Sequence, residues 1–236
     1  MQQIIQQFDE RVEEVDLYFS FLEKLDDPDA SLYFPNKRKN KTERVSTDLF
    51  TMLKATAFLV IYNLVESTIR EAILLVYREL ELKGHTYESI CRELRDIWIH
   101  YHFRDVFDPT ANWDSYRLKA TDLVEMAMNR AVIVMDRRAI RVSGNLDANE
   151  IRRVCRSHGI STKTHYRADG GAKLLTVKVQ RNNLAHGNFS FSEIGRQYTI
   201  GDLKMIKGQS VIFLRSILRN VKDYVDNEHY AVANVP

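Results

Sequence analysis

The stretch from Thr47 to Lys83 constrains this chain most. Leu49, Phe50, Leu53, Ala57, Val60, Ile61 and Leu64 recur at helical spacings, and Ile69, Ile73, Val76 and Leu80 continue the row. That period lines them along one wide stripe of a helix. Ser46 precedes the run as a candidate N-cap, and Gly84 follows as a stop. A helix of about ten turns with so broad an apolar stripe must be covered by other elements, so it belongs at the centre of a bundle.

The rest of the chain offers the covering helices. Gln2 to Leu25 carries Ile4, Ile5, Phe8, Val12, Val15, Leu17, Tyr18, Phe21 and Leu22 at spacings of three and four, and ends at Asp26-Asp27-Pro28. Asp29 to Arg44 reads as a loop with a basic cluster at Lys37, Arg38, Lys39 and Lys41. A third helix is expected from Tyr87 to about Val106, a fourth from about Tyr116 to Arg138, and a fifth from the N-cap candidate Asp147 to His158. Ser143-Gly144-Asn145 marks a turn between the last two. In Leu174 to His186 two patterns compete. Leu175, Val177 and Val179 alternate as in a strand, while Leu174, Val177, Arg181 and Leu184 share one helical face. The lack of partner strands favours helix. The final helix begins near Asp202, which forms a capping-box spacing with Thr199. The expectation is an all-α protein, an antiparallel helical bundle forming one domain over residues 1–236, with residues 112–160 as an inserted helical segment.

Composition agrees. Nine glycines and four prolines in 236 residues are too few turn formers for a propeller or sandwich. Two cysteines, Cys91 and Cys155, make neither a disulfide framework nor a four-thiolate zinc site, and suit buried thiols in a reducing cytoplasm. No signal peptide is visible, and the charge-free run from Ala55 to Val65 is far shorter than the ~20 residues that span a bilayer. A cytoplasmic protein without a membrane segment is expected.

Charge is uneven. Arg130 to Lys222 holds 18 basic and 6 acidic residues, against 16 basic and 26 acidic in the remainder. Either the two parts pack together and neutralise each other, or the basic part meets a polyanion such as nucleic acid. Arg137, Arg138, Arg141, Arg152, Arg153 and Arg156 are the candidate RNA-binding set, with a solvated face as the equal alternative.

No Walker loop, dinucleotide fingerprint, HExxH or GxSxG is present, and no cofactor or metal is expected. His100 and His102, two apart on a helix, do not face each other and make a poor metal pair. Arg–His pairs five apart occur at Arg95–His100, Arg153–His158 and Arg181–His186. The last lies in the longer string Arg-Asn-Asn-Leu-Ala-His-Gly, residues 181–187, after an apolar approach and before a closing helix.

That string resembles the Arg-x4–6-His motif of the HEPN superfamily (higher eukaryotes and prokaryotes nucleotide-binding) in its ribonuclease branch. The resemblance implies a helical bundle, a homodimer that pools two motifs in one cleft, and RNA cleavage without metal. Arg181, Asn182 and His186 are then the catalytic candidates. His186 would act as general base on the 2′-hydroxyl, and Arg181 would hold the charged phosphoryl oxygens. Asn182 would orient the histidine or hold a phosphate oxygen. Asn63 and Glu66 are supporting candidates, although a Glu66–Arg70 pair across one helical turn is the simpler reading. The resemblance also implies a toxin–antitoxin or antiphage setting, with an antitoxin or other defence protein as partner. Some members are silenced at a tyrosine two residues after the histidine. Asn188 stands at that position here, which puts that control in doubt.

Overall fold

A computed structural model describes residues 2–35, 41–103, 113–140 and 145–232. Eight α-helices are found among these residues, with one two-stranded hairpin. The protein is all-α.

The long helix of the bundle, here α2, spans Thr47–Leu82, and Ser46 Oγ accepts from the Leu49 amide at its start. Its buried residues run from Ala55 through Phe58, Ile61, Val65, Ile69 and Val76 to Leu80, with Leu64, Thr68 and Leu75 on a second face. Removing each large side chain from water contributes roughly 1.5–3 kcal/mol. By length and composition alone α2 could cross a membrane, which its short charge-free run understated. In the bundle it is packed instead by α1 (Gln2–Leu25), α6 (Ala172–Ala185), α7 (Phe191–Arg196) and α8 (Ile200–Asp226). Thr199 and Asp202 form the expected capping box, and α8 starts directly after Thr199.

Part of the charge asymmetry is resolved here. Lys204, Lys207 and Arg215 of basic α8 pair with Glu23, Asp16 and Asp9 of acidic α1 at 2.6, 2.7 and 2.9 Å. The two parts neutralise each other along that seam. The pairs are largely exposed and add little stability.

Three readings of the sequence need correction. Asp29 to Arg44 is not all loop: Ser31–Phe34 and Lys41–Arg44 pair antiparallel as β1 and β2. The third helix starts later than expected, and its expected end near Val106 lies outside the described residues. A single 3-10 turn at Tyr87–Ser89 precedes α3 (Arg92–Phe103), because Ile90 is extended and bridges to Ala231. The helix expected to reach Arg138 ends early, as α4 (Trp113–Met128). Arg130 takes a left-handed φ of 51°, and Val132 bridges to Thr86. From Val132 to Met135 exposed and buried residues alternate, a strand-like period that the helical reading overlooked. The Ser143-Gly144 part of the expected turn lies outside the described residues.

The fifth helix, α5 (Ala148–Ser157), has Asp147 as N-cap and His158 as C-cap. His158 is 3% exposed. Its Nδ1 lies 2.7 Å from the Val154 carbonyl and so carries the proton, leaving Nε2 to accept from the Tyr77 hydroxyl at 2.7 Å. Burial pulls its pKa down to about 4, against the opposing bond to Val154. The unfolded chain therefore binds a proton at His158 that the native state refuses. Stability from this group is complete above pH 6.5 and is lost as pH falls toward 4, by about 3 kcal/mol. Urea unfolding between pH 7 and 4.5 is expected to show this slope, and His158→Gln to flatten it. Parallel curves for parent and variant would remove His158 as the cause.

Candidate functional site

The segment Leu174 to His186 is helical, and Arg181 and Asn182 stand in the last turn and a half of α6. His186 is the C-cap. Its amide donates to the Asn182 carbonyl at 2.9 Å. Gly187 follows with φ +68°, and the Asn188 amide donates to the Asn183 carbonyl at 3.0 Å. This is a Schellman ending, which requires a left-handed residue after the cap and so favours glycine at 187.

Arg181 and Asn182 are brought together, and His186 is not. Arg181 Nη1 donates to Asn182 Oδ1 at 3.0 Å, and the guanidinium carbon stands 4.5 Å from the centroid of the Tyr62 ring on α2. Asn182 Nδ2 donates to Asn145 Oδ1 at 2.6 Å. The Asn182 side chain is therefore bonded to Arg181 and Asn145, and not to the histidine. The His186 ring is exposed and bonds to no described residue. On an ideal helix Arg181 and His186 point about 140° apart, and the two side chains share no hydrogen bond.

Sequence reasoning missed the roles of four neighbours. Tyr62 is 3% exposed, and its hydroxyl accepts from the Leu146 amide at 3.1 Å. Burial pushes its pKa up, the Leu146 bond opposes this, and the Glu66 carboxylate adds to the rise, so the phenol stays neutral. Asn145 was legible only as a turn residue. Asp147 and Lys178 form a close ion pair that ties α5 to α6, and neither is more than a quarter exposed. Burial raises the Asp147 carboxyl, but Lys178 and the Glu150 amide outweigh it and hold it below its usual range. A tyrosine inside an apolar stripe was the one available hint at Tyr62, since its hydroxyl needs a partner when buried.

Of the supporting candidates, Glu66 pairs with Arg70 at 2.5 Å, the simpler reading. Asn63 is exposed and bonds to no described residue.

The basic set is dispersed. Arg138 pairs with Asp136 at 2.8 Å, and Arg153 with Glu150 at 2.5 Å. Both line a cleft of about 330 Å³ between α3 and α5, facing Glu93, Asp96 and His100. Arg152 donates to the Gly170 carbonyl at 2.7 Å and lies 5.3 Å from the Phe213 ring, which bolts the 166–171 turn to the bundle. Arg137 and Arg156 are exposed, and Arg141 lies outside the described residues. Three of the five described arginines thus have structural partners, and the set is not one uniform patch.

The three Arg–His pairs differ in their surroundings. Arg95 donates to the Tyr87 and Glu88 carbonyls at 2.9 and 2.7 Å. His158 is buried with both ring nitrogens bonded. Arg95–His100 and Arg181–His186 each join a held arginine to an exposed histidine, and of these only the second lies in the Arg-Asn-x3-His-Gly string.

The family model described as HEPN_MAE_28990-like HEPN matches residues 1–230. No curated protein and no solved structure matches the chain.

Proposed function

The chain belongs to the MAE_28990-like HEPN family, and on that premise we propose that it is a metal-independent endoribonuclease, a toxin or effector of antiphage defence. The observation that carries this reading is the contrast within residues 181–187. Arg181 is held as a fixed cation, while His186 presents an open imidazole at a helix end.

Those two groups suit RNA, which brings its own nucleophile. His186 takes the proton of the 2′-hydroxyl as O2′ attacks the adjacent phosphorus. Arg181 offsets the charge on the phosphoryl oxygens with its planar donors. The P–O5′ bond breaks, and O5′ leaves with a proton from an imidazolium. The products are a 2′,3′-cyclic phosphate and a 5′-hydroxyl.

One chain keeps Arg181 and His186 apart, so the reading calls for a homodimer with a shared cleft. The face of α6 that bears His186 supports this. Leu175, Val179, Asn182 and His186 follow one another at helical spacing, and Leu175 and Val179 are 52% and 41% exposed. Phe189 continues the apolar surface just beyond the histidine at 47% exposure. A second copy laid along this stripe would bury it and carry its own motif toward the first. An antitoxin or other defence protein is the partner such an effector needs.

The test is incubation of the purified protein in EDTA with RNA and with the matching DNA. RNA is expected to be cut to cyclic-phosphate ends, and DNA to stay whole. Cleavage of both, or cleavage only with added metal, would overturn the mechanism. The rival reading is a binding module of the same fold, favoured by the separation of the two groups in one chain. It predicts salt-dependent RNA affinity without cutting.

A further inference from the structure

We infer that Tyr62 is a positioning residue of the Arg181 site: its ring carries the guanidinium, and its hydroxyl fastens the segment that holds Asn182. This rests on the ribonuclease reading above and names how that site is kept in order. The contacts close a circuit through three separate segments. The Tyr62 ring lies 4.5 Å from the Arg181 guanidinium carbon. Arg181 donates to Asn182, and Asn182 to Asn145, at 3.0 and 2.6 Å. The next residue, Leu146, donates its amide back to the Tyr62 hydroxyl at 3.1 Å. Tyr62 stands on α2 among the buried Ile61, Leu64 and Val65, so the circuit is anchored to the long, largely buried helix of the bundle.

The chemistry of the support matters. An aromatic face attracts the cation and leaves its charge intact. Glu66, the carboxylate that acts on Tyr62, is itself bonded to Arg70. A flexible arginine is thereby fixed before substrate arrives, which is where transition-state stabilisation gains most from preorganisation.

The experiment uses the full chain with Tyr62→Phe and Tyr62→Leu. The first readout is the Arg181 Nε–H resonance, assigned by its loss in Arg181→Ala. The Tyr62 ring is expected to displace it from the free-arginine position. Tyr62→Phe keeps that displacement, and Tyr62→Leu abolishes it. Tyr62→Phe is also expected to broaden the Asn182 side-chain amide signal, because Leu146 loses its acceptor, and this readout serves if Tyr62→Leu does not fold. The second readout is RNA cleavage. Tyr62→Leu is expected to lower kcat on the order of 10²-fold with KM within about 3-fold, since small misplacements of a catalytic group have that effect. In the Arg181→Ala background it is expected to do nothing further. An Arg181 resonance already at the free position in the parent overturns the inference, as does one unmoved by Tyr62→Leu. Equal kinetic damage in both backgrounds also overturns it. If no protein cuts RNA, the ribonuclease reading fails by itself, and the two resonances still decide whether Tyr62 positions Arg181.

Discussion

The His186→Ala protein, folded like its parent, is expected to leave RNA intact in EDTA, a loss on the order of 10³-fold, as removal of a general base entails. Arg181→Ala is expected to lose on the order of 10²–10³-fold, the usual effect of deleting one stabiliser of developing charge. Neither change touches the core. His186 is exposed, and Arg181 packs on Tyr62 at the edge of the bundle. Circular dichroism and melting should therefore be close to the parent's. Mixing the two inactive proteins tests the shared cleft. If each active pair takes its arginine from one copy and its histidine from the other, a mixed dimer retains one intact pair. With half the dimers mixed and one of two pairs intact in each, activity is expected to return to about a quarter of the parent's. If each chain uses its own arginine and histidine, mixing restores nothing. Equal cutting by parent and His186→Ala would mean that the activity lies elsewhere.

Gly195→Ala is expected to be the most damaging single change to stability, although it adds only a methyl group. A Cβ at Gly195 would lie 1.8 Å from the Thr51 carbonyl oxygen and 2.6 Å from its carbon. Both atoms belong to the backbone of α2, which has no rotamer to yield. The short helix α7 must lift off α2, and with it the fully buried Ile194. Overpacking of this kind against a backbone exceeds the usual 1–3 kcal/mol range, and we expect a loss of about 4 kcal/mol. In a chain of this size that lowers Tm by roughly 8–16 °C. Gly208→Ala is the control. It lies within α8 with nothing inside 4 Å of its added methyl, so it is expected to raise stability by roughly 0.5–1 kcal/mol. A Gly195→Ala protein that melts with its parent would show that α7 is not seated on α2.

The helices that could be read in advance are those whose signals are local. The apolar period of α2, the caps at Ser46, Asp147 and Thr199, and the stop at Gly84 each depend on residues within a turn or two of one another. These elements appear where the pattern puts them. The pairing of Ser31–Phe34 with Lys41–Arg44 and the strand-like run at Val132–Met135 were missed because their order comes from pairing with other segments. Val132 bridges to Thr86, and the Ile133 amide donates to the His85 carbonyl at 2.8 Å.

The candidate site divides in the same way. The order Arg-Asn-x3-His-Gly is a property of the chain, and so is the angle that keeps Arg181 and His186 apart on an ideal helix. Other facts belong to the packing alone. Tyr62 lies under Arg181, Asn145 takes the Asn182 amide, and His158 of the rival pair is sealed against Tyr77. Those contacts join residues dozens of positions apart. Periodicity and capping act over one or two turns, so no local pattern encodes which distant side chain the bundle brings to a given helix face.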